Sequence, residues 1–184
     1  MTTAVGNTGG MISEPTTVHR TRLLTLCTGN AARSVMAGAM LESDGLRIVT
    51  AGTHVVEGQP MSRRTRDALI SVGFSADGHR SHQLTDQDID DADLIVAMAG
   101  EHVAFVRRRY PAAVPKTGSI KRLCRDLPDG PAPLIERIRA LGLGDLPIEP
   151  WEDVEDPAGG DDERYVSCAK ELADLCVDLL SRVH

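Results

Sequence analysis

The chain has 184 residues, 41% of them hydrophobic and 26% charged, with 20 Lys and Arg against 27 Asp and Glu for a formal net charge of -7. That is enough chain for one domain with a real core. The acidic balance argues against a nucleic-acid backbone or an anionic membrane as partner, since both need a net basic face, and 3% aromatic residues cannot furnish an interleaved base-stacking surface. No run approaches the roughly 20 apolar residues of a membrane span, and the N-terminus lacks the basic-then-apolar order of a secretory signal. The four cysteines, Cys27, Cys124, Cys168 and Cys176, have neither zinc-site nor disulfide-framework spacing. A reducing, cytoplasmic setting with no metal or cofactor is therefore expected.

Residues 1–17 are Gly/Thr-rich and aperiodic, and read as a disordered tail preceding a single domain over 18–184. "RLLTLC" (22–27) reads as a buried parallel strand. Val35, Met36, Ala39 and Met40 recur at helical spacing and stop at Gly45. "LRIVTAG" (46–52) predicts a second strand, and Ser62 caps a helix whose apolar face is Thr65, Ala68, Leu69 and Val72. "ADLIVAMA" (92–99) is the strongest strand signal, followed by a helix over 101–109 and a short strand over 112–117. Strand alternating with helix predicts a three-layer α/β/α fold on a central parallel four-stranded sheet, with ligands at the carboxyl ends of the strands. Residues 120–150 are proline-punctuated and read as an excursion from that sheet, with one short helix at 133–141. Tyr165, Cys168, Leu172, Leu175, Leu179 and Val183 mark the core face of a long final helix.

The stretch "CTGNAARS" (27–34) lies between the first strand and its helix. Gly29 tolerates positive φ and Asn30 the left-handed region, while the helix beginning near Arg33 points unsatisfied N–H groups at the loop. That is an anion cradle, and its field favours a thiolate at Cys27. Ser34 is placed to hydrogen-bond the sulfur, and Arg33 offers a planar fork matched to two phosphate oxygens. Spacing alone is weak evidence, because Cys176 and Arg182 repeat it within "CVDLLSR". That copy lacks glycine and sits inside a helix.

The loop "CTGNAARS" resembles the phosphate-binding loop of the low-molecular-weight protein tyrosine phosphatases. "VTAGTHVVEGQP" (49–60), "GHRSHQLT" (78–85), "DADLIVAM" (91–98) and "DVEDP" (153–157) resemble further blocks of the family, bacterial members especially. The resemblance covers roughly 22–119 and 150–181. It implies a nucleophile at Cys27, and phosphate held by Arg33 and the backbone of Thr28, Gly29, Asn30, Ala31 and Ala32. It also implies a general acid at Asp156, and loop support from Ser34 and from His79, the latter through a hydrogen bond to Asn30. The pocket walls fall at Val55, Val56 and Ala158. His54, Arg63 and Arg64 read as solvated.

The implied reaction is cysteine-dependent hydrolysis of phosphotyrosine on a protein, or of another small phosphate ester, through a phosphocysteine. Two departures from the family pattern bear on it. Ala32 stands where many members carry a second cysteine, and "LIVAMAGEH" lacks the relay cysteines of related arsenate reductases, which disfavours that alternative. Ala99 replaces an Asp that could cap the next helix, so a weaker helix start is expected. The remaining alternative is a phosphate-binding module without turnover. Oligomeric state is not legible from the sequence.

Overall fold

Alternate residues of the first strand face opposite sides of one sheet, and this sets the layers. The computed structural model describes residues 20–183, so the tail read over 1–17 lies outside the described residues. Strands β1 (Thr21–Cys27), β2 (Leu46–Gly52), β3 (Leu94–Ala97) and β4 (Thr117–Ser119) form an all-parallel sheet in the order β2-β1-β3-β4. From β1 and β3, Leu23, Cys27, Leu94 and Val96 enter one buried cluster, while Leu24, Leu26 and Ile95 enter another. This is the period of two that a strand buried on both faces requires.

Helices α1 (Arg33–Leu41), α2 (Arg63–Ser71), α5 (Ile120–Asp126) and α7 (Asp162–Val183) cover the first face through buried Met36, Leu69, Leu123 and Leu172. Helices α3 (Asp86–Asp91) and α4 (Gly100–Arg109) cover the other through Ile89 and Val106. The remaining helix, α6 (Leu134–Ala140), adds Ile138 to the first cluster. The three-layer α/β/α architecture is present. Among the described residues no helix is long and apolar enough to cross a membrane.

Three local readings change. The strand expected over 112–117 is a 3-10 turn, Pro111–Lys116, because Pro111 and Pro115 cannot donate to a sheet ladder; pairing starts only at Thr117, opposite Ile95. The segment 120–150 is not uniformly peripheral. Its first turn is α5, capped by the Ser119 side chain, and Ile120, Leu123 and Leu127 are fully buried. Helix α3 was not expected, and forms through a capping box between Thr85 and Asp88.

With β1 between β2 and β3, the chain leaves β1 toward one side and returns past it to the other. The crevice at the carboxyl ends of β1 and β3 is therefore the topological switch point, where α/β sheets bind ligands. Cys27 ends β1 there. Its register partner, Gly52, is a steric requirement: a Cβ at 52 would lie 2.6 Å from the Thr28 carbonyl and 2.9 Å from the Asn30 amide. A Cβ at Gly29, by contrast, meets nothing within 4 Å. Gly52→Ala should cost roughly 1–3 kcal/mol through overpacking against backbone, whereas Gly29→Ala should cost well under that. Urea unfolding of the two variants side by side checks the contrast.

Candidate active site

The loop after β1 is built around Asn30, which takes φ +47° as asparagine tolerates, while Gly29 stays out of the left-handed region it was expected to use. Every polar group of Asn30 is used. Its amide N–H donates to Cys27 Sγ (3.3 Å), and its Nδ2 donates to Ser34 Oγ and Thr50 Oγ1 (both 3.0 Å). Its Oδ1 accepts from the His82 amide (2.9 Å), and its carbonyl accepts from His79 Nε2 (3.0 Å) and Ser81 Oγ (2.9 Å). Because Ser34 Oγ accepts from Asn30, its own proton is free to donate to Cys27 Sγ, 2.9 Å away. The sulfur thus receives two donors, an arrangement suited to a thiolate. Helix α1 begins at Arg33 and Ala32 gives it no side-chain cap, which leaves the first-turn N–H groups for an anion.

The Arg33 guanidinium is buried, donating to the Val154 carbonyl (3.1 Å) and to Asp156 Oδ2 (2.7 Å). Cys27, Arg33, Asp156, Ala158 and Tyr165 line one cavity of about 130 Å³. Residues separated by more than a hundred positions therefore converge. The loop carrying Asp156 is tethered at several points. The Val154 amide donates to the Met98 carbonyl, Lys121 Nζ donates to the Asp153 carbonyl, and Arg64 reaches Asp162 and the Gly160 carbonyl. Arg64, read as solvated from sequence, is one of these tethers. Asp153 Oδ1 accepts from the Gly100 amide (2.7 Å), so the cap missing at Ala99 comes from the acid loop.

The pocket walls differ from expectation. Ala158 lines the cavity, but Val55 and Val56 do not; Val56 is 71% exposed, and Val55 packs toward Gly52 with its amide held by Gln83 Oε1. Tyr165, assigned to the core stripe of α7, also lines the cavity beside Asp156 and Ala158. On the opposite rim, the His54 amide donates to the Thr28 carbonyl, and its ring meets Phe105 edge-on at 6.0 Å. The Thr28 side chain meets the first turn of α4, with its hydroxyl 3.2 Å from Glu101 Oε1 and 3.0 Å from His102 Nε2. Burial, then the Arg33 charge, pushes His102 down to about 4, so its imidazole is neutral near pH 7.

Sequence reasoning did not single out Glu101, His102, Asp153 or Tyr165. For Glu101 and His102 the available signal was position, since "GEH" directly follows the strand beside β1. The remaining thiols are remote in chemistry. Burial pushes Cys124 and Cys168 up to about 12 and raises Cys176 further.

Comparison with known proteins bears on the same residues. The sequence model for low molecular weight phosphotyrosine protein phosphatases matches residues 22–129. A protein-arginine-phosphatase of Geobacillus stearothermophilus is 32% identical over 157 residues, covering 84% of this chain and 90% of that protein. The probable low molecular weight protein-tyrosine-phosphatase EpsP of Ralstonia nicotianae is 35% identical over 103 residues, 55% of this chain and 69% of its own. Among solved structures, the YwlE arginine phosphatase from Geobacillus stearothermophilus has a TM-score of 0.72 at 31% identity, covering 89% of this chain and 92% of that one. With the sequence model spanning Cys27 through α5 and a relative aligned along nearly its whole length, this chain belongs to the low molecular weight phosphotyrosine protein phosphatase family.

Proposed function

We propose that the protein is a cysteine-dependent phosphatase of phosphorylated proteins, with Cys27 as nucleophile, Arg33 as phosphate clamp and Asp156 as general acid. The observation that carries this is the doubly hydrogen-bonded Cys27 sulfur at the N-terminus of α1, sharing one cavity with a buried guanidinium and a carboxylate. Cys27 Sγ attacks phosphorus in line, forming an S–P bond as the bond to the leaving atom breaks. Asp156 protonates that atom, then takes a proton from the water that releases phosphate. Backbone N–H groups of residues 28–33 and the Arg33 fork hold the equatorial oxygens. Phosphate drawing on the Arg33 fork loosens its hold on Asp156, freeing the carboxyl for proton transfer.

Phosphotyrosine is the substrate the family description suggests. Phosphoarginine is a second reading, favoured because the protein-arginine-phosphatase is 32% identical over 84% of the chain, whereas tyrosine phosphatases aligned over 90% and 88% of it are 24% and 28% identical. A net charge of -7 supports protein over nucleic-acid or membrane substrates. Four free cysteines suit a reducing, cytoplasmic setting. Relay reduction of arsenate is disfavoured, since Cys124 and Cys168 are buried thiols pushed up to about 12.

Assay on p-nitrophenyl phosphate separates turnover from mere binding. Cys27→Ser should abolish release of nitrophenol while retaining vanadate binding; a near-native rate in this variant would sink the mechanism. Asp156→Asn should lower kcat on the order of 10²–10⁴ for phenyl phosphate, whose leaving group needs a proton, and much less for activated aryl esters. An equal loss across a series of leaving groups would instead make Asp156 a tether of its loop.

A further inference from the structure

The phosphate cradle is made of donors, and a leaving group that carries donors of its own finds few acceptors within it. Glu101 supplies one. Its carboxylate is 66% exposed, yet it is not free: Oε1 lies 3.2 Å from the Thr28 hydroxyl and 3.3 Å from His102 Nε2. The hydroxyl of Thr28 donates to it, and the enclosed, neutral His102 imidazole lies alongside, paired with the same hydroxyl. Helix α4 starts beside β1 because of the strand order, so the first turn after β3 must overlook the end of β1. Arg33 Nη2 lies 3.9 Å from Glu101 Oε1 and 2.7 Å from Asp156 Oδ2. Two carboxylates therefore approach one Arg33 nitrogen, Asp156 from within the Cys27 cavity and Glu101 from beyond its lining.

A phenolic leaving group has a single oxygen and needs a single proton, which Asp156 alone provides. A second anion beside it gives a phosphotyrosine nothing and repels the phosphate. The balance is different for a phosphate bonded to a guanidino nitrogen. That group is cationic in the substrate and leaves as a cation. The S–P bond forms, the N–P bond breaks with its electron pair staying on nitrogen, and that nitrogen takes the Asp156 proton. The other two nitrogens keep N–H donors throughout, and a planar fork of that kind pairs with a carboxylate.

We propose that Glu101 is a specificity-determining residue that receives the cationic guanidino group of a phosphoarginine side chain and so favours it over phosphotyrosine. This rests on the phosphatase reading above. It extends that reading by assigning selection between the two substrates to a residue outside the phosphate loop and the acid loop.

The test uses two peptides of one flanking sequence, carrying phosphoarginine or phosphotyrosine, with kcat/KM read from phosphate release by native protein, Glu101→Gln and Glu101→Lys. For Glu101→Gln the phosphoarginine-to-phosphotyrosine ratio of kcat/KM should fall roughly three- to tenfold, the effect of one charge-assisted bond tempered by exposure. It should fall further for Glu101→Lys. Thermal unfolding of both variants should stay close to native, because the residue is on the surface. A structural role at the start of α4 would change both substrates alike and leave the ratio where it was. Release from both peptides with an unmoved or rising ratio overturns the assignment to Glu101 alone. Release from neither peptide by native protein overturns the phosphatase reading and this inference with it.

Discussion

One buried amide side chain organises the catalytic end of this fold. Asn30 is fully enclosed, and its backbone and side chain together exchange hydrogen bonds with Cys27 and Ser34, with Thr50 of β2 and with the 79–82 segment. A buried polar network in which each member is satisfied is rigid, and one left half-satisfied would be costly. The loop can therefore hold a cysteine sulfur in a fixed place while its other donors remain turned toward an anion. Gly52 is the steric counterpart: the loop lies flat on the end of β2 only because no Cβ stands there.

The second constraint is the position of the acid loop, which originates far along the chain and reaches the site by long-range contacts only. Backbone pairing at Val154, the Lys121 hold on Asp153 and the Arg64 strap from α2 fix its course. Arg33 serves both sides, since it lines the cavity with Cys27 while its guanidinium holds the Val154 carbonyl and Asp156. Such double use economises on buried charge. A second cation in the same small volume would raise the desolvation cost without adding a hydrogen bond that the fork does not already make.

Much of this was legible in sequence, and the remainder has physical reasons. The apolar run from Leu23 to Cys27 announces a strand buried on both faces, and glycine next to asparagine between a strand and a helix announces an anion loop. Which of the two takes the left-handed conformation is not local, because Asn30 is held there by partners from 50 to 82. Prolines at 111 and 115 argue against a strand, while those at 128, 131 and 133 mask in the sequence the burial of Ile120, Leu123 and Leu127 in the core. Tyr165 sits on a continuous apolar stripe, so periodicity could not separate it from Cys168 one turn later; only its place in the cavity beside Asp156 and Ala158 makes it a wall. Glu101 depends on strand order, which spacing does not encode.

The substitution of alanine at position 99 leaves helix α4 to borrow its first acceptor from Asp153. A helix start completed by another segment is a thermodynamic reporter on that segment. Whenever the acid loop lifts, the Gly100 amide loses its acceptor and becomes open to exchange with solvent deuterium. By linkage, whatever binds at the rim through the first turn of α4 shifts the loop equilibrium by the same free energy with which the loop shifts its binding. The two halves of the crevice are thus reciprocal partners, coupled through this hydrogen bond together with the Val154–Met98 pairing and the Arg33 guanidinium between Asp156 and Glu101.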